Sequence, residues 1–292
     1  MKKLLRKTIF ITIVVFMIFV IVASDKIAHR QLTTEILQQN DCLRADLVSQ
    51  NQELSQFCQD VSQKAIIPSP LPSPSLNLSL PDKERFLATI TGKLSAMPQP
   101  GTFEYILLRA YGAAFVDENP QIKLPPKVVF DNEQQTEEFQ ATLTMGKVSN
   151  TNDCYLQKSA ADALNRARSQ IPIPLKSGYG AGDCTRSFET NLRFWRKYAN
   201  DKTLEKVRQG KDTAILGLVA PPGSSQHLWG LAIDLRVTTV AQKQALNQNG
   251  WFQTVEHDIP HWTYIGDPQE KLVEFGLKNK VLRGITYWLT PL

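Results

Sequence analysis

Histidine is scarce in this chain, four among 292 residues, yet His227, His257 and His261 fall close together beside Asp234, Glu256 and Asp258. Neutral imidazoles and carboxylates are the donors a catalytic zinc takes, about three from the protein with one position left for water or substrate. Leu228-Trp229-Gly230-Leu231-Ala232-Ile233 separates His227 from Asp234, and such a stretch can turn at Gly230 and run on as a strand, bringing both side chains to one metal. The third ligand must come from farther along, and His261 opens an apolar run that can pair beside that strand. His257 stands four residues before His261, the spacing of a helical His-x-x-x-His pair. Pro260 removes that helix, which leaves His257 a surface or supporting residue. His29, far upstream, reads as a solvated side chain. Donors of this kind also accept divalent ions other than zinc.

The run Ser225-Gln226-His227-Leu228-Trp229-Gly230-Leu231-Ala232-Ile233-Asp234 resembles the Ser-x-His-x-x-Gly-x-Ala-x-Asp motif of VanY-type D-alanyl-D-alanine carboxypeptidases. That family sits in a wider group of zinc peptidases with lysostaphin-type endopeptidases and the hedgehog signalling domain. The likeness extends more loosely from about Leu156 to Gly266 and includes Gly250-Trp251-Phe252-Gln253-Thr254-Val255.

The resemblance implies zinc ligands at His227, Asp234 and His261. It also implies a general-base carboxylate three residues before the last histidine, where relatives usually carry glutamate and this chain carries Asp258. Aspartate has the same chemistry on a stem one methylene shorter, and Glu256 is the second candidate for that role. The family's arginine, which holds the peptide carboxylate or the developing oxyanion, corresponds best to Arg186 in Arg186-Ser187, displaced from Gly178-Tyr179 by an insertion. The plainer alternative is a helix-start residue paired with Glu189. Ser225 is expected to orient substrate or a ligand, or else to serve as a turn residue after Pro221-Pro222-Gly223. Trp229, Trp251 and Trp262 bracket the site as core packing, with a cleft-wall role as the alternative.

The elements that must position these residues read as mixed. Gln157–Gln170 is alanine-rich with apolar residues at helical spacing, and Ser187–Tyr198 is also helical in pattern. Leu228–Val237 and Trp262–Ile265 read as short strands. The fold class expected is therefore α+β, a small antiparallel sheet carrying the zinc site with helices on its flanks, over residues 82–292. Cys154 and Cys184 lie in that domain, and a disulfide between them is expected in an exported chain. Two separate buried thiols are the alternative.

Upstream, Lys2, Lys3, Arg6 and Lys7 precede the apolar run Ile9–Ala23, an export signal that leaves the rest of the chain outside the cytoplasm. A retained anchor over residues 1–24 is favoured, with cleavage near Ser24 as the alternative. Residues 25–64 read as a helical stalk. Leu47, Leu54 and Val61 mark one coiled-coil position and Ile36, Leu43 and Phe57 the other; a lone amphipathic helix is the alternative. On one unbroken helix Cys42 and Cys58 stand about 24 Å apart, too far to bond each other, so a dimer bridged through the stalk is one expectation. Residues 65–81 form a Pro/Ser-rich spacer.

A net charge of +5, with Lys and Arg interspersed among acids, offers no concentrated basic stripe and sets nucleic acid aside as a partner. The export signal gives a membrane-tethered, extracytoplasmic address, and the resemblance implies a zinc-dependent D-alanyl-D-alanine carboxypeptidase acting on the terminal D-Ala of peptidoglycan stem peptides. A zinc-containing binding or scaffold domain without turnover, a D,D- or L,D-endopeptidase, and an envelope assembly protein working through its stalk are the rival readings.

Overall fold

Helix Lys158–Gln170 shows why the chain packs as it does. Its buried residues Ala160, Ala161, Ala163, Leu164 and Ala167 fall on one stripe, and all but Leu164 are small. A strand hairpin can therefore lie almost on the helix backbone. A Cβ at Gly146 in that hairpin would stand 3.0 Å from both Ala161 Cβ and Lys158 Cα. Pro172 forces Ile171 into extended backbone and ends the helix there.

In the computed structural model, residues 78–178 and 180–292 are described. Helices α1 (Asp82–Ile90), α2 (Phe103–Tyr111) and α3 (Glu133–Gln140) come first, followed by the hairpin β1 (Met145–Lys147) and β2 (Tyr155–Gln157). Next are α4 (Lys158–Gln170), the one-turn α5 (Gly180–Asp183), α6 (Phe188–Tyr198) and α7 (Asp201–Arg208). A 3-10 turn, Gln226–Trp229, leads into β3 (Ala232–Asp234), α8 (Val240–Asn247), β4 (Trp251–Phe252) and β5 (His261–Tyr264). The chain closes with α9 (Gln269–Glu274) and the hairpin β6 (Lys278–Leu282) and β7 (Ile285–Leu289). The class is α+β, as the sequence pattern leads one to expect.

The central sheet has the order β3-β5-β4, antiparallel throughout, and pairs Ala232 with Thr263, Ile233 with Trp262, and Asp234 with His261. Every residue of β3 and β5 is buried, so this sheet is covered on both faces. A bridge from Leu175 to Leu235 adds a further contact at the end of β3. The core runs continuously from Phe86 and Ile90 of α1 through Leu107, Leu108 and Phe115 to Trp229, Trp251 and Phe252. Buried Arg85 fastens the first helix to the C-terminal part, donating to the carbonyls of Leu80, Val273 and Glu274 and pairing with Asp82.

One expected element is shorter than its pattern suggests. Leu228–Val237 reads as a single strand, but Leu228 and Trp229 belong to the 3-10 turn and the strand is confined to Ala232–Asp234. The cause is Gly230, at φ 67, a left-handed conformation that reverses the chain between turn and strand. The anchor over 1–24, the stalk over 25–64 with Cys42 and Cys58, and the spacer up to residue 77 lie outside the described residues. Among those described, no helix is long and apolar enough to cross a membrane.

Candidate metal centre

Three separate local devices deliver His227, Asp234 and His261 to one point. The 3-10 turn, capped by the Ser225 hydroxyl accepting from His227 N, aims His227 inward before Gly230 turns the chain. Asp234 then ends β3 directly across the ladder from His261, the first residue of β5, so two donors are cross-strand neighbours on one face. The result is His227 Nε2 at 3.2 Å from His261 Nδ1, with Asp234 Oδ1 at 3.4 Å from the first and 3.7 Å from the second. Three donors around an ion at about 2.0–2.1 Å in tetrahedral geometry stand about 3.3 Å apart, close to the triangle seen.

The outer hydrogen bonds decide which atoms face that point. His227 Nδ1 lies 2.8 Å from Cys184 O, a carbonyl that can only accept, so Nδ1 carries the proton and Nε2 offers its lone pair. His261 Nε2 donates over 2.7 Å to Gln226 Oε1, which leaves the Nδ1 lone pair pointing inward. Asp234 divides its oxygens, Oδ1 toward the two imidazoles and Oδ2 onto Arg186 Nη2. Three electron-rich atoms thus converge in a buried site with no proton among them. That is unfavourable unless a cation sits between them, so the residues fit a divalent metal. Two imidazoles and one carboxylate are a donor set zinc takes readily.

The electrostatics agree with a metal-ready state. Burial, reinforced by Arg186, lowers the His227 imidazole to about 4, which keeps it neutral. Burial works to raise the Asp234 carboxyl, but His227, His261 and Arg186 overcome it and hold it well below the usual range.

Asp258 sits in the turn before β5, where burial raises its carboxyl to about 6; Asp234 adds to the rise, while His261, Lys176 and Arg186 oppose it. It therefore lies within the field of the triad. Glu256 is directed elsewhere, to Lys280 Nζ at 2.7 Å and to the exposed ring of His257 at 3.3 Å. His257 is thus a surface residue, as Pro260 leads one to expect.

Arg186 is anchored on several sides. Its Nε donates to Gly182 O, its Nη2 to Asp234, and its guanidinium stacks 4.7 Å over the Phe194 ring. Its visible engagement is with a donor carboxylate rather than with Glu189. The Cys154–Cys184 disulfide is formed, with Cα atoms 5.4 Å apart, and it ties down the segment that carries both the Cys184 carbonyl and Arg186. Trp229, Trp251 and Trp262 are all buried in the core, which is their packing role.

Sequence reasoning passed over Gln226, Thr263 and Thr254, which form a buried polar chain behind His261. Their signal was faint: three uncharged polar residues in otherwise apolar surroundings.

The buried cluster of two histidines and one aspartate on an α+β sheet, with a second aspartate and an arginine beside it, is a set of donors that can hold a divalent metal. Among known proteins, residues 155–272 match the family model VanY, described as D-alanyl-D-alanine carboxypeptidase. The solved structure of the LdcB LD-carboxypeptidase aligns at 22% identity, covering 44% of this chain and 69% of that one, with a TM-score of 0.30. No curated protein matches the chain.

Proposed function

We propose that this chain is a zinc-dependent carboxypeptidase that removes the terminal D-alanine from peptidoglycan stem peptides. One observation carries the reading: inside the family-matched segment, His227 Nε2, His261 Nδ1 and Asp234 Oδ1 converge within 3.2–3.7 Å, and the other nitrogen of each imidazole faces a hydrogen-bond acceptor. Zinc held there supplies Lewis acidity, polarising the scissile carbonyl and making a water nucleophilic near neutral pH.

The remaining work falls to the chain's own residues. Asp258, raised to about 6, is ionised at neutral pH yet basic enough to take a proton from the attacking water and return it to the leaving amine. Arg186 holds Asp234 Oδ2 and keeps a positive charge beside the position where the carbonyl oxygen becomes negative. Ser225 fixes the turn that carries His227 by accepting from its backbone N. The apolar run Ile9–Ala23 after Lys2, Lys3, Arg6 and Lys7 supports a membrane-tethered, extracytoplasmic address. The Cys154–Cys184 bond suits such an oxidising compartment.

The test is incubation of the full-length chain with a stem pentapeptide ending in D-Ala-D-Ala. Release of one D-alanine, abolished by chelation and restored by zinc, is the expected result. Zinc binding with no release from any stem peptide would instead make the domain a binding module. Cleavage of cross-linked peptides alone would make it an endopeptidase.

A further inference from the structure

Gln226 is 1% exposed, and every polar atom of its side chain is committed. Its amide nitrogen lies 2.7 Å from Tyr111 O, a backbone carbonyl that can only accept, so the amide has one tenable orientation. Its oxygen therefore faces the other way, where Thr263 Oγ1 and His261 Nε2 both stand at 2.7 Å. An amide oxygen has two lone pairs and no proton, so both neighbours must donate to it. With its proton spent on Gln226, Thr263 can only accept from Thr254 Oγ1, also at 2.7 Å. The direction of the whole chain is fixed, from Thr254 to Thr263 to Gln226, with His261 donating from the other side.

We propose that Gln226 is the positioning residue of the metal centre, locking His261 with its proton on Nε2 so that its Nδ1 lone pair joins His227 Nε2 and Asp234 Oδ1. The proposal rests on the metal-dependent reading of the site. The opposite tautomer would set a ring lone pair against Gln226 Oε1 at 2.7 Å and aim an N–H into the triad. The first change leaves the buried Gln226 oxygen facing a lone pair, and the second removes one donor from the metal.

The two histidines are thereby set to opposite tautomers by different means. His227 is held through Nδ1 by the Cys184 backbone carbonyl, which no substitution removes, whereas His261 depends on a side chain. Gln226 is also the neighbour of His227 in the 3-10 turn. One turn thus supplies one donor and orients another that arrives from a different strand.

Two measurements on the full-length chain test this. Zinc affinity by chelator competition should fall about 10–100-fold in Gln226→Leu, the usual effect of deleting the outer partner of a ligating histidine. Gln226→Glu, as the protonated acid donating to Tyr111 O, keeps an acceptor facing His261 and Thr263 and should stay within a few-fold of the natural chain. Equal losses in the two variants, or no loss in Gln226→Leu, overturn the proposal.

Nitrogen-15 NMR of the natural chain, at a pH where imidazoles are neutral, gives a readout independent of whether Gln226→Leu folds. His261 should carry its proton on Nε2 in both the metal-free and the zinc-loaded protein, and a proton on Nδ1 overturns the assignment. Should the natural chain bind no zinc at all, the metal-dependent function fails. The metal-free spectrum still reports whether Gln226 sets the tautomer.

Discussion

The three donors and Asp258 belong to one site but are held in different ways. His227, Asp234 and His261 are gripped by ladder pairing, a capped turn, the Cys184 carbonyl, Gln226 and Arg186, and all three are buried. Asp258 rides on a turn whose flanks reach solvent: Ile259 is 57% exposed, and His257 adopts φ 73. The hydrogen bonds that fix Asp258 run through its backbone, from its N to Val255 O and from His261 N to its carbonyl. A metal cradle needs donors set to within a few tenths of an ångström, and the sheet provides that. The general base proposed at Asp258 has to meet a proton that shifts during the reaction, and a turn tolerates that adjustment.

The comparison is broken most severely by removing a donor. Asp234→Ala should abolish measurable hydrolysis and weaken zinc by more than about 100-fold, beyond the loss of an outer partner. It also leaves the partly buried Arg186 without its carboxylate. Retention of zinc and activity in that variant would show that the cradle is not the working site.

Asp258→Asn is the next largest and separates the two regions. Hydrolysis should fall by about 10²–10⁴-fold while zinc affinity stays within a few-fold. The natural chain should show an acid limb in its pH–rate profile at or below about pH 6, because the working form is the carboxylate and a bound cation favours that form. Without metal the sign for stability follows from the same shift. A folded carboxyl raised above its unfolded value holds a proton the unfolded chain releases, so the contribution of Asp258 to stability should fall as pH rises from the usual carboxylate range through about 6. Asp117, raised to about 7, adds a slope of the same sign, and His227, lowered to about 4, one of the opposite sign. Urea titrations of metal-free Asp258→Asn should therefore differ from the natural chain by the loss of the Asp258 contribution alone, and no difference would exclude Asp258 as a source.

A smaller effect should follow from opening the disulfide. The double substitution Cys154→Ser with Cys184→Ser removes a cross-link over a sequence separation of 30 and should cost about 2–4 kcal/mol in denaturant unfolding. Because the same segment presents the Cys184 carbonyl and Arg186, zinc affinity should fall with it, whereas a purely global role would leave zinc affinity unchanged. Smallest of all, Glu256→Gln breaks a partly exposed pair with Lys280. It should change stability by about 0–1 kcal/mol and activity by less than a few-fold.

The cradle was largely legible in the amino-acid sequence and its supports were not. His227 and Asp234 announce themselves through fixed spacing, because a turn at Gly230 followed by a strand is a local event. His261 could be found because its strand is apolar and short of alternatives. Gln226 stayed hidden because what makes it matter is the approach of Tyr111, Thr263 and His261 from distant parts of the chain. Arg186 shows the same limit. The insertion after Gly178-Tyr179 obscures where its guanidinium ends, and only the folded chain shows it on Asp234. The strand boundary before Ala232 was misjudged because apolar residues in a 3-10 turn look like strand residues in sequence.

The central claim is that His227, Asp234 and His261 together hold one divalent metal. Native mass spectrometry of the full-length chain with zinc, beside Asp234→Ala at the same concentration, tests it most directly. One zinc per natural chain and none on the variant is the expected result. A natural chain that takes up no zinc, or a variant that holds it equally well, would contradict the account.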